Sequence, residues 1–249
     1  MIARHDGVSP GMTLPLKLFA AVAAVQIAAV ATGLTALQWV TTPLLAPLLI
    51  WHLQVTRRRG EGRPDAVVHG LGFATAGDIA LLIPNRAGLL AGMVFLLGTL
   101  ICFTLAFLNR AKPLPSPSAM FALLAVSANA LFGDRWGAFR VPLLVYSLAL
   151  SAMAAAAAGV SPLVAAGGVL FVVADLLTGL GYAGLHLPAV AAAAHAAALA
   201  LIATGWARPQ NAGGSERSGV EQPVRRARAW ADHDAGGRVA DDRAVHLSR

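Results

Sequence analysis

The sequence predicts an all-α integral membrane protein, a bundle of eight transmembrane helices. Three observations support this. Hydrophobic residues make up 57% of the 249 and charged residues 12%, about half the charged fraction of a soluble domain. The apolar residues fall in long runs near the roughly 20 residues that a hydrocarbon core about 30 Å thick requires. The runs are continuously apolar, without the period-two alternation of a membrane barrel strand. A soluble enzyme, a disordered chain, a disulfide scaffold and a collagen-like fibre are excluded on composition. The single cysteine, Cys102, excludes an internal disulfide and a Cys-based zinc cage.

Eight segments are expected, at 14–34, 36–54, 66–83, 87–108, 118–132, 138–159, 162–182 and 187–206. In the first, Arg4 and Lys17 precede the apolar run as in a signal peptide. Its apolar run of about 17 residues exceeds the 7–15 of a cleaved leader, so it is read as a retained helix. Polar Arg57 to Pro64 separates the second segment from the third, and Pro84-Asn85-Arg86 turns the third into the fourth. The Pro-rich stretch 112–117 leads to the fifth, the shortest, which carries Ser127 and Asn129. Gly133 to Trp136 is a turn with Trp at an interface. The Ala-rich stretches 152–158 and 189–200 suit close helix contact in lipid. Residues 1–13 form a short N-terminus, 14–206 the membrane domain, and 207–249 a disordered tail of mixed charge.

Orientation follows from arginine and lysine. With eight spans both termini share a side with the 55–65 and 109–117 loops, and that side collects sixteen of the 19 basic residues. Arg86, Arg135 and Arg140 are left for the other. The positive-inside rule makes the richer side cytoplasmic. The chain is therefore expected in the cell membrane, multi-pass, with both termini inside. The net charge of +7 belongs to this asymmetry and to no nucleic-acid partner.

Two carboxylates stand out, because an ionised Asp at mid-bilayer costs about 2.5–3.5 kcal/mol even on insertion scales. Asp78 and Asp175 lie in apolar runs, each with a glycine eight residues earlier (Gly70, Gly167) and a small residue directly before it. Their segments run in the same direction, and the register places both carboxylates roughly 8–11 Å inside the outer boundary. The pattern is consistent with an internal repeat of four plus four segments. Thr42, Tyr146 and His195 fall at a similar depth and Thr99 near the middle. Pro43, Pro47 and Pro142 are expected to loosen their helices there. A polar pocket in the outer half is expected, with Asp78 and Asp175 as its acids. The bland alternative for each polar residue is a structural hydrogen bond. His52 is expected at the interface, His69 at a helix start and His186 in a loop. No His/Asp/Glu set has metal-ligand spacing, and nucleophile-elbow, phosphate-loop and dinucleotide motifs are missing, so neither metal nor cofactor is expected.

The sequence resembles the YhhN-like membrane proteins, the lysoplasmalogenase family, over about 38–205. Thr42-Pro43-Leu44-Leu45-Ala46-Pro47 is similar to the family's Lys-Pro-Leu-Leu-x-Pro. Phe73 to Asp78 resembles its first Gly-Asp signature, and Phe95 to Thr99 its Phe-Leu-x-Gly-His stretch. Pro142 to Met153 resembles its Pro-x-x-x-Tyr…Met helix, and Gly167 to Asp175 its second, Ser-Asp signature. The chain departs from the pattern at Thr42 (usually Lys), Thr99 or Thr104 (His), Ala174 (Ser), His195 (Tyr) and Leu199 (Gln).

The resemblance implies hydrolysis of the vinyl ether bond of a lysoplasmalogen, a lysophospholipid drawn from the membrane. The products would be a fatty aldehyde and glycerophosphoethanolamine or glycerophosphocholine. Asp78 and Asp175 would supply acid and base, while Tyr146, His195, Thr42 and Thr99 would bind substrate or position water. The same residues permit two other readings, a proton- or cation-coupled transporter and a catalytically degenerate family member. Oligomeric state is not legible.

Overall fold

The helices begin and end where local chemistry dictates. In the computed structural model, α1 (Leu14–Thr32) has Pro15 in its first turn, where a missing N–H costs nothing. It stops at Gly33, whose φ of 71° is left-handed, and the Leu34 N–H then donates to the Ala29 carbonyl. α2 (Thr35–Thr56) continues through Pro43 and Pro47. These prolines offer no N–H to the carbonyls one turn earlier. Asp65 caps α3 (Ala66–Leu81) by accepting from the Val67 N–H. Asn85 caps α4 (Arg86–Arg110) by accepting from the Gly88 N–H at 2.7 Å. α5 (Arg140–Ala158), α6 (Pro162–Tyr182) and α7 (Pro188–Ala207) complete the order. The structure describes residues 12–56, 65–112, 140–182, 184 and 186–208, which belong to one unit ending at Arg208.

Six of these seven helices are long and apolar enough to cross a membrane. α3, with 16 residues, is shorter than the expected 66–83 span because its last turn runs out just before Pro84. The expected fifth segment, 118–132, and the tail lie outside the described residues. Pro142 falls in the first turn of α5, where it interrupts no helical bond, so the expected loosening there does not arise. Large apolar side chains such as Val40, Val94, Leu105, Val141 and Val190 face outward. Water would oppose such a surface and lipid favours it.

Neighbouring helices close a ring. α2 packs on α3, α3 on α4, α4 on α5, α5 on α6, α6 on α7, and α7 back on α2; α1 lies against both α2 and α7. The closest pairs, α3 with α4 and α6 with α7, meet through glycine. A Cβ on Gly167 would stand 2.7 Å from Ile202 and 3.0 Å from the Ala198 carbonyl. Small residues here let backbones approach and gain dispersion contacts, the main attraction between helices in lipid.

The interior is divided along its length. Leu53, Leu71, Phe103, Phe107, Met153 and Ile202 are essentially without exposure, and all lie toward one end. That end is tied by side chains. The Trp206 indole N–H donates to Asp65 Oδ2 at 2.7 Å. The Arg110 guanidinium lies over the Trp206 ring at 4.2 Å and donates to the Trp206 carbonyl at 2.9 Å. One small cluster thus joins the start of α3 to the ends of α4 and α7. His52, expected at the interface, is buried near this end, with Nδ1 2.6 Å from the Thr13 hydroxyl.

Candidate active site

The opposite half of the interior holds the polar residues. α3 carries Asp78 one turn before its end, after the glycine-lined contact with α4. α5 carries Tyr146, α6 carries Asp175 and α7 carries His195. The Tyr146 hydroxyl donates to Asp175 Oδ2 at 2.7 Å. His195 Nε2 stands 3.7 Å from Asp78 Oδ1. Because α3 and α7 are not neighbours in the ring, this approach reaches across the interior. Asp175 is within electrostatic range of both Asp78 and His195, and Tyr146 within range of Asp78. Four side chains from four helices therefore converge.

The environment is dry but not sealed. The His195 and Asp78 side chains keep 19% and 11% of their surface accessible. The Phe171 ring meets the His195 ring edge-on, with centroids 5.0 Å apart, and fixes its plane. His195 Nε2 is buried and has no hydrogen-bond partner among the described residues. Charges and dipoles interact more strongly in such a setting than in water. Among the described residues no three His, Cys, Asp or Glu side chains cluster as a metal ion would require.

The other two expected residues are placed differently. The Thr42 hydroxyl accepts from Gln26 Nε2 of α1 at 2.7 Å. Thr99 is fully buried and turns its hydroxyl to the Phe95 carbonyl at 3.3 Å. A second polar group, which sequence reasoning missed, is built around Gln26. Its amide oxygen accepts from Thr41, and its amide nitrogen donates to Thr42. The available signal was a lone amide inside the apolar run of α1.

The arrangement can hold a proton on one carboxyl while the other, hydrogen-bonded by a phenol, carries negative charge. That combination suits acid–base chemistry on an uncharged bond. The family model for the YhhN family matches residues 37–206. No curated protein matches, and no solved structure does.

Proposed function

Because the chain belongs to the YhhN family, we propose that it is a membrane-embedded hydrolase of the lysoplasmalogenase type. It cleaves the vinyl ether bond of a lysoplasmalogen to a fatty aldehyde and a glycerophospho-headgroup. It works in the cell membrane with both termini cytoplasmic, and a C-terminal green fluorescent fusion is expected to fluoresce. The observation that supports the reaction is the convergence of Asp78, Tyr146, Asp175 and His195 inside the ring.

A vinyl ether is cleaved by protonating its β-carbon. Asp78, without a hydrogen-bond donor among the described residues, is the acid. The C=C π pair takes its proton, and the ether oxygen shares the positive charge as an oxocarbenium ion. Asp175, which accepts from Tyr146, is the carboxylate. A donated hydrogen bond favours that ionised form, and the ionised form stabilises the cation. Water adds to the α-carbon and gives a proton to Asp175, leaving a hemiacetal. Asp78 then takes the hemiacetal hydroxyl proton while Asp175 protonates the departing glycerol oxygen. Both carboxyls return to their starting states, and one water has been consumed.

The test is aldehyde release from a lysoplasmalogen by the purified protein in detergent. Asp78→Asn and Asp175→Asn should each lower the rate by roughly 10²–10⁴-fold. Full hydrolysis by both variants would refute the mechanism. Charge-dependent uptake by vesicles without hydrolysis would establish a transporter instead.

A further inference from the structure

A ring nitrogen buried without a partner needs a reason. Among the described residues His195 Nε2 is such an atom, and its ring cannot turn freely because Phe171 packs edge-on against it. It faces Asp78 Oδ1 at 3.7 Å. That is too long for a hydrogen bond and too short to admit an oxygen on the line between the two. A single oxygen admitted beside that line by a small side-chain shift would reach both atoms at hydrogen-bond distance.

We propose that His195 recognises the free hydroxyl adjacent to the ether arm of the substrate, and so determines that the enzyme takes a lyso lipid. This inference rests on the hydrolase reading above and deepens it. The match is one of spacing. In a lysoplasmalogen the hydroxyl oxygen is five bonds from the β-carbon, about 4 Å in a folded-back conformer. With that hydroxyl on Nε2, the β-carbon comes to Asp78, whose proton it must receive. An esterified hydroxyl would bring an acyl chain into the space between His195 and Asp78. A substrate lacking the hydroxyl would leave the nitrogen unpartnered, and an unmet buried group discriminates more sharply than a lost apolar contact. His195 is a positioning residue here, since the proton goes from Asp78 to carbon without passing through it.

Binding of a non-hydrolysable probe tests this apart from catalysis. The probes are a 1-O-alkyl lysophosphatidylcholine and its 2-deoxy analogue, titrated into the full-length protein in detergent. The wild type should bind the hydroxyl compound roughly 10- to 100-fold more tightly. His195→Phe should lose that preference, and His195→Gln, which keeps a donor, should retain part of it. Equal binding of the two probes by the wild type would overturn the proposal and assign the nitrogen to a water. A preference undiminished in His195→Phe would overturn it too. Aldehyde release from the vinyl ether, measured on the same preparation, reports separately on the hydrolase reading.

Discussion

Tyr146→Phe removes one oxygen and leaves the ring. Among the described residues that oxygen makes one hydrogen bond, to Asp175 Oδ2 at 2.7 Å in the interior of the ring. Hydrogen bonds to charged groups contribute about 1.5–3 kcal/mol. At about 1.36 kcal/mol per decade of rate, loss of this one should lower kcat roughly 10- to 150-fold. KM should move little, because in the proposed mechanism the phenol acts on the carboxylate that stabilises developing charge and not on the alkyl chain. Aldehyde release under single-turnover conditions isolates the chemical step, and a thermal melt in detergent confirms that the variant is folded. The double variant sharpens the test: with Asp175→Asn already in place, Tyr146→Phe should cost almost nothing more. An equal loss in both backgrounds, or a loss below threefold in the wild type, would refute the pairing as a catalytic device.

Other expectations concern packing. Gly167→Ala forces a methyl group against the backbone of α7, at 3.0 Å from both Ala198 O and Ile202 N, and should destabilise by about 1–3 kcal/mol. Gly72→Ala meets nothing within 4 Å and should instead stabilise by about 0.5–1 kcal/mol; melting temperatures in one detergent compare the two. Gln26→Leu removes both interactions between α1 and α2 made by this amide. Polar contacts between membrane helices average about 0.6 kcal/mol each, so a fall of about 1.2 kcal/mol in unfolding free energy is expected for the two, without change in aldehyde release per folded molecule.

Asp78 and Asp175 stood out in the sequence because an ionised carboxylate in an apolar run is costly in a membrane. Tyr146 was legible as a residue at the right depth and as the Tyr of the Pro-x-x-x-Tyr resemblance, but not as a partner of Asp175. Its bond to Asp175 depends on α5 lying beside α6, and counting along a helix gives height without giving neighbours. The same limit explains Thr42 and Thr99. Both sit near the expected height, but Thr42 is taken by Gln26 of α1 and Thr99 by its own helix. Gln26 was overlooked because it carries no charge, and an uncharged amide hardly disturbs the hydropathy of α1. Pro142 misled through its place in the helix, since a proline loosens an interior turn but not a first turn. The span boundaries held to a few residues wherever a cap or a proline fixed them, as at Gly33, Asn85 and Pro84.

The tie made by Trp206, Asp65 and Arg110 gives α3 and α7 a shared pivot. Measured at 1.5 Å per residue, Asp78 lies about 20 Å along α3 from it and His195 about 17 Å along α7. Each helix then carries its polar group at the end remote from the pivot, where packing on α4 or α6 must hold it in place. A rotation of only about 5° at the pivot would displace either tip by about 1.5 Å, by the same arc arithmetic. Errors of about 1 Å in the placement of reacting groups can cost a hundredfold in rate. The distance between Asp78 and His195 is thus sensitive to the packing of an indole and a guanidinium at the far end of the bundle.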